Sequence, residues 1–114
     1  MARIQVLDQG ADFRWRLCGE RVQAVLGLRL ARRCLSEVEA DLPCGGNFRE
    51  LLEEVVRERA PVVYKMDYDR SIRPPARAED DRPVTACGGL FPFRDARSER
   101  PYAVSDLLWI VRYR

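Results

Sequence analysis

The chain has 114 residues, 46% of them apolar, enough for one ordinary core without disulfide or metal staples. Nineteen Arg and a single Lys are nearly cancelled by 18 acidic residues, leaving a net charge of +2, so the uncompensated basic face of a nucleic-acid binder is not expected. Cys18, Cys34, Cys44 and Cys87 form no C-x-x-C pair, and the chain has no histidine, which argues against a zinc site. The opening "MARIQVLDQG" meets Asp8 too early for a signal peptide, and no apolar run approaches the ~20 residues of a membrane span. A cytoplasmic protein with reduced thiols and no membrane association is expected.

Ile4, Val6 and Leu7 precede the turn-forming cluster Asp8-Gln9-Gly10-Ala11-Asp12, after which Phe13, Trp15 and Leu17 alternate with Arg14 and Arg16. Period two with aromatics predicts a β-hairpin over residues 3 to 18. From Glu20 the apolar positions become Val22, Val25 and Leu26, one face of a short helix, with Gly27 placed as its C-cap. Leu30, Cys34, Leu35 and Val38 suggest one or two further helical turns, ended by the breaker "LPCGG".

"NFRE" at Asn47 is a capping-box pattern, and Phe48, Leu51, Leu52, Val55 and Val56 make the apolar stripe of a longer helix that stops at Pro61. Glu53 and Arg57 stand at i, i+4 on its polar side. "VVYKMDY" predicts a strand over 62–68, followed by a long polar loop through Pro74-Pro75. "PVTACGGLFPF" and "YAVSDLLWIVRY" predict two long antiparallel strands joined by "RDARSERP". In the last strand Leu107, Trp109, Val111 and Tyr113 fall on one face and Leu108, Ile110 and Arg112 on the other by strict alternation. The expected order is two strands, a cluster of short helices, one longer helix and three strands, in a single α+β domain spanning residues 1–114.

This order resembles a PAS domain, a five-stranded antiparallel sheet with one face covered by helices inserted between strands two and three. Three segments carry the resemblance to the small bacterial PAS family. "FRWRLCGERVQAVLGLRLARRCLSEV" is similar to the aromatic-Arg strand that runs into Gly, a short helix, another Gly and a Leu-rich turn. "RERAPVVYK" is similar to the end of its long helix before the third strand, and "GLFPFRDARSERPYAVSDLLWIVRY" to the closing hairpin. The resemblance covers nearly the whole chain, and the order of the motifs carries it more than any one of them. Two departures stand out: no helix precedes the first strand, and no linker or effector follows the last. A fragment and a stand-alone domain both fit.

The resemblance implies a sensory or protein-interaction module, acting through rearrangement of its sheet or of a homodimer interface, with a separate effector protein. Members of the superfamily bind haem, flavins, small carboxylates, fatty acids or nothing, and the ligand of this chain is not named by its sequence. Histidine-ligated haem is excluded by the absence of His, leaving ligation by Cys or Tyr open. Cys34 in "ARRCLSEV" resembles the reactive cysteine of the photosensory flavin subtype. However, Arg33 stands where that motif has Asn, and Asn47 is the sole Asn of the chain. A core thiol is the competing reading of Cys34.

Trp15, Leu30, Cys34, Val55, Cys87 and Trp109 are the candidate pocket-lining residues for a small molecule, and core packing is the competing reading for both tryptophans. Cys87-Gly88-Gly89 reads either as a bulge or close backbone approach or as room for a ligand. Arg14 and Arg16 read either as a solvated outer face or as stems packed over a dimer partner, for which Leu108 and Ile110 also speak. No base-oriented nucleophile can be assembled from four Ser, one Thr and no His, so no enzyme activity, catalytic residue or metal site is expected. The rival readings are a ligand-free PAS-like dimerisation scaffold, a small α+β enzyme or ligand carrier of another fold, and an Arg-rich nucleic-acid binder.

Overall fold

The computed structural model describes residues 1–26, 28–42, 47–68, 84–94, 97 and 101–113. Gly27, most of "LPCGG", the loop through Pro74-Pro75 and most of the turn between the last two strands lie outside the described residues. The elements are β1 (Ala2–Leu7), β2 (Asp12–Cys18), α1 (Glu20–Leu26), α2 (Leu35–Val38), α3 (Asn47–Glu58), β3 (Val62–Tyr68), β4 (Val84–Arg94) and β5 (Pro101–Tyr113). Five antiparallel strands form one sheet in the order β2-β1-β5-β4-β3, and all three α-helices fall between β2 and β3 in sequence. The architecture is α+β, with the helices packed on one face of the sheet.

Alternation places the apolar side chains of Ile4, Phe13, Trp15, Met66, Ala86 and Leu90 on the inner face, where they meet Val22, Val25, Leu35, Phe48, Leu52 and Val55 from the helices. Trp15 stacks on Phe48 with centroids 5.7 Å apart, which ties the edge strand to α3.

The abrupt change from strand to helix at Cys18-Gly19 has a geometric cause. Gly19 N–H donates to the Met1 carbonyl at 2.9 Å, while the Gly19 carbonyl accepts from Gln23 N–H at 3.1 Å to start α1. A Cβ on residue 19 would sit 2.9 Å from the Met1 oxygen, so only glycine fits between the last bond of the sheet and the first of the helix.

The second cluster of helical turns is shorter than its spacing predicts. Only Leu35–Val38 is α-helical before a single 3₁₀ turn, Glu39–Asp41. Leu30 and Cys34 instead flank a hydrogen-bonded turn at Ala31-Arg32, closed by Arg33 N–H donating to Leu30 O at 2.9 Å, that docks on the edge of β2. Trp15 N–H donates to Arg33 O at 3.0 Å, Arg32 N–H donates to Trp15 O at 2.6 Å, and Arg14 bridges Cys34. Arg32 adopts φ +69° to make this turn, and the segment covers a strand edge that would otherwise present unpaired groups.

The long helix stops before Pro61 is reached. Arg59 takes φ +56° and its N–H donates to Val55 O at 2.9 Å, a left-handed C-terminal cap, so Pro61 acts on the already released chain. Arg57 turns to Glu58 at 3.3 Å instead of to Glu53.

Strict alternation fails in β5. The register shifts between Cys87 and Gly88, which pair with Ile110 and Leu108 and leave Trp109 as the extra residue of a bulge. Leu107 and Ile110 therefore share the outer face, while Leu108 and Val111 turn inward. The bulge reading of Cys87-Gly88-Gly89 is the one that matches this geometry.

Candidate functional site

The six candidate pocket residues do not converge. Trp15, Leu30 and Val55 are fully buried together in the core, packed against neighbouring side chains. Cys34 is half-buried just before α2, where its N–H donates to the Glu37 carboxylate at 3.2 Å. Cys87 and Trp109 lie on the opposite face of the sheet, with Trp109 46% exposed. Leu108, grouped with Ile110 as a partner-facing residue, is buried, because the bulge removes it from that face.

The outer face is built from β-strand positions whose partners in register fall in rows. Leu17, Arg3, Ser105 and Phe91 make one row; Leu107, Gly89 and Val63 make the next; Ile110, Cys87 and Lys65 make a third. Val63 is 68% exposed and Ile110 49%, with Leu17 and Leu107 also open to solvent. Gly89 shapes the centre: a Cβ there would lie 2.9 Å from the Phe91 ring and 3.1 Å from the Trp109 ring. Its missing side chain lets both aromatics lie against the sheet, their centroids 6.4 Å apart. Arg3 covers the Phe93 ring at 4.7 Å, a cation–π contact at the border of the apolar zone. Ser105, beneath this layer, has its hydroxyl buried without a hydrogen-bond partner.

Behind that face sits a polar pair that sequence reading missed. The Tyr64 hydroxyl donates to the Asp106 carboxylate at 2.5 Å, and both residues are buried. Tyr64 reaches Asp106 by crossing Gly88, where a Cβ would stand 2.9 Å from the phenol oxygen. Burial pushes the Asp106 carboxyl up to about 6, against the opposing pull of the Tyr64 hydrogen bond and the terminal ammonium. Cys18 is raised to about 11 by burial first and by the Asp106 charge second, with the terminal ammonium opposing, which leaves it a neutral, unreactive thiol at neutral pH. The signal in the sequence was a lone carboxylate inside "YAVSDLLWIV", an apolar run where a charge needs a partner. Also on the inner side, the Trp15 indole N–H is buried without a hydrogen-bond partner.

Two further features complete the picture. Asp12 accepts from Phe13 N–H, Ser36 N–H and the Ser36 hydroxyl at 2.9, 3.1 and 2.7 Å, and lies 3.7 Å from Arg49. Burial opposes ionisation there, but these hydrogen bonds and the Arg49 charge together hold the carboxyl below its usual range. Arg49 also donates to Glu39 and to the Ala11 carbonyl, so the group fastens the hairpin to α2 and α3. A shallow cleft of about 420 Å³ between the β1–β2 connection and the end of α3 is lined by Gln9, Gly10, Glu53, Val56, Arg57 and Arg59. It holds none of the six candidates.

Among the described residues, no group of three or more His, Cys, Asp or Glu side chains is placed to hold a metal ion, and no helix is long and apolar enough to cross a membrane. Comparison with known proteins returns no matching family model, no matching curated protein and no matching solved structure.

Proposed function

We propose that the chain is a PAS-like interaction module that binds a protein partner through the outer face of its sheet. One observation carries this reading: Trp109, Ile110, Leu107 and Val63 stay exposed on the β5–β4–β3 part of the outer face while the inner face is filled by its own core. A soluble chain gains nothing from leaving aromatic and branched apolar groups contiguous in water, and such patches mark contact surfaces. The antiparallel five-stranded sheet with helices inserted between β2 and β3 supports the PAS-like part of the reading. A second copy and a separate effector are the two kinds of partner that the resemblance implies.

A small-molecule sensor is the second reading, and the buried Trp15 N–H without an acceptor favours it, since a ligand on the inner side would supply one. Native mass spectrometry on freshly purified protein separates the two. The interaction reading predicts the bare chain mass. A retained small molecule released on denaturation would overturn it in favour of the sensor, and the same spectrum reads the oligomeric state.

A further inference from the structure

We infer that the outer sheet face docks an acidic amphipathic helix of another protein; this deepens the reading of that face as the interaction surface and rests on it. The chain as a whole is nearly balanced, 20 basic residues against 18 acidic. The described outer strand face is nevertheless one-sided. At the described outer-face positions of the strands, Arg3, Arg14, Lys65 and Arg112 face one carboxylate, Asp67, which already accepts from the Thr85 hydroxyl at 2.6 Å. On the helical side α3 carries Glu50, Glu53, Glu54 and Glu58 against Arg49 and Arg57, while the segment before it adds Arg21, Arg29, Arg32 and Arg33, so no comparable basic excess arises there.

The cations also stand in the right places. Arg3 and Arg14 lie to one side of the exposed apolar strip, and Lys65 and Arg112 lie to the other. From the Arg3–Ser105 row to the Ile110–Lys65 row is about four residues along β4, Phe91 to Cys87, roughly 13 Å at about 3.3 Å per residue. An α-helix with its side chains is about 10–12 Å across, so one laid over the strip between these rows brings flanking carboxylates within reach of both. Its apolar ridge at i, i+3, i+4 and i+7 would cover Trp109 and Ile110.

A second copy fits less well. Face to face, it would set Arg14, Lys65 and Arg112 against their own kind around the apolar centre. Its acidic helix α3 offers no free apolar ridge either, because Phe48, Leu52 and Val55 are already buried in its own core. The occupant that satisfies both apolar centre and basic flanks is a helix with an exposed Leu-type ridge bordered by Glu or Asp.

The test uses a fluorescein-labelled synthetic peptide of about 18 residues, five helical turns, with a leucine ridge flanked by Glu, and a twin in which every Glu is Lys. Anisotropy titrations are run on the wild type, on Ile110→Asp and on Lys65→Glu/Arg112→Glu, all surface changes whose folding is verified by circular dichroism. The acidic peptide is expected to bind at least about tenfold more tightly than its twin, to weaken with added salt, and to lose about tenfold on Lys65→Glu/Arg112→Glu. Ile110→Asp should abolish binding. Equal binding of both peptides, lost in Ile110→Asp, would overturn the acidic partner and leave the face as a docking surface. Self-association that Ile110→Asp removes, with no peptide bound, would overturn it in favour of a second copy. No peptide binding and no self-association would overturn both the partner and the face.

Discussion

Asp106 is a buried carboxylic acid, and its effect on stability has a definite sign. Its folded carboxyl holds a proton up to about pH 6, whereas the unfolded chain releases it near 3.8. The folded state therefore binds the extra proton between those values, and stability falls as pH rises through that window and levels off above it. Two pKa units correspond to a loss on the order of 2–3 kcal/mol. Asp106→Asn keeps an acceptor for the Tyr64 hydroxyl without the buried charge. Denaturant unfolding at about pH 7.5 should find this variant more stable than wild type by about 1–3 kcal/mol, the two converging toward pH 4. Asp12 contributes with the opposite sign: its folded value is lowered, so its stabilisation is present above 3.8 and is lost as pH falls further, outside the Asp106 window. An Asp106→Asn variant with an unchanged pH profile would mean that the carboxyl is not buried as described.

The elements are held in place by polar contacts of very unequal value, and two arginines on one helix show this. Arg49, partly buried, joins α3 to Glu39, Asp12 and the Ala11 carbonyl, whereas Arg57 lies exposed beside Glu58. Arg49→Ala should cost about 1–3 kcal/mol in chemical denaturation, because it removes charge-assisted bonds and leaves their acceptors unpaired. Arg57→Ala should stay within about 0.5 kcal/mol of wild type, as exposed pairs do. Comparable losses from both would refute the role given to the Arg49 cluster. The periodic parts of these elements were legible in the sequence: the hairpin from its aromatic alternation, α3 from its apolar stripe, β3 from its β-branched run. What escaped was produced by contacts distant in sequence. Leu30 and Cys34 have helical spacing, yet hydrogen bonds to the edge of β2 hold the segment between them as a tight turn with a left-handed Arg32. The left-handed Arg59 ends α3 where the sequence offers only a downstream proline.

At the scale of the molecule, the sheet has an inner face covered by the helical core and an outer face that keeps apolar side chains exposed, and the sequence showed this division only in part. Arg14 and Arg16 marked an outer face, and Ile110 was recognised as apolar and exposed. The rest depended on two bulges: the extra Arg16 in β2 sends Leu17 outward, away from Phe13 and Trp15, and the second lies in β5. An extra residue at Trp109 shifts the phase of β5, exchanging Leu108 for Leu107 on the outside, and alternation alone cannot register an insertion that is defined by its neighbour strand. Trp109 thereby becomes a surface aromatic, and Trp15 a core one stacked on Phe48. Hydroxyl-radical footprinting with the acidic peptide present tests the division most directly, since the two tryptophans report one face each. If the outer face is the docking surface, oxidation of Trp109 and its strand neighbours falls on binding while the protection of Trp15 is unchanged. Unaltered oxidation of Trp109 with the peptide bound would contradict the account and move the binding surface elsewhere on the molecule.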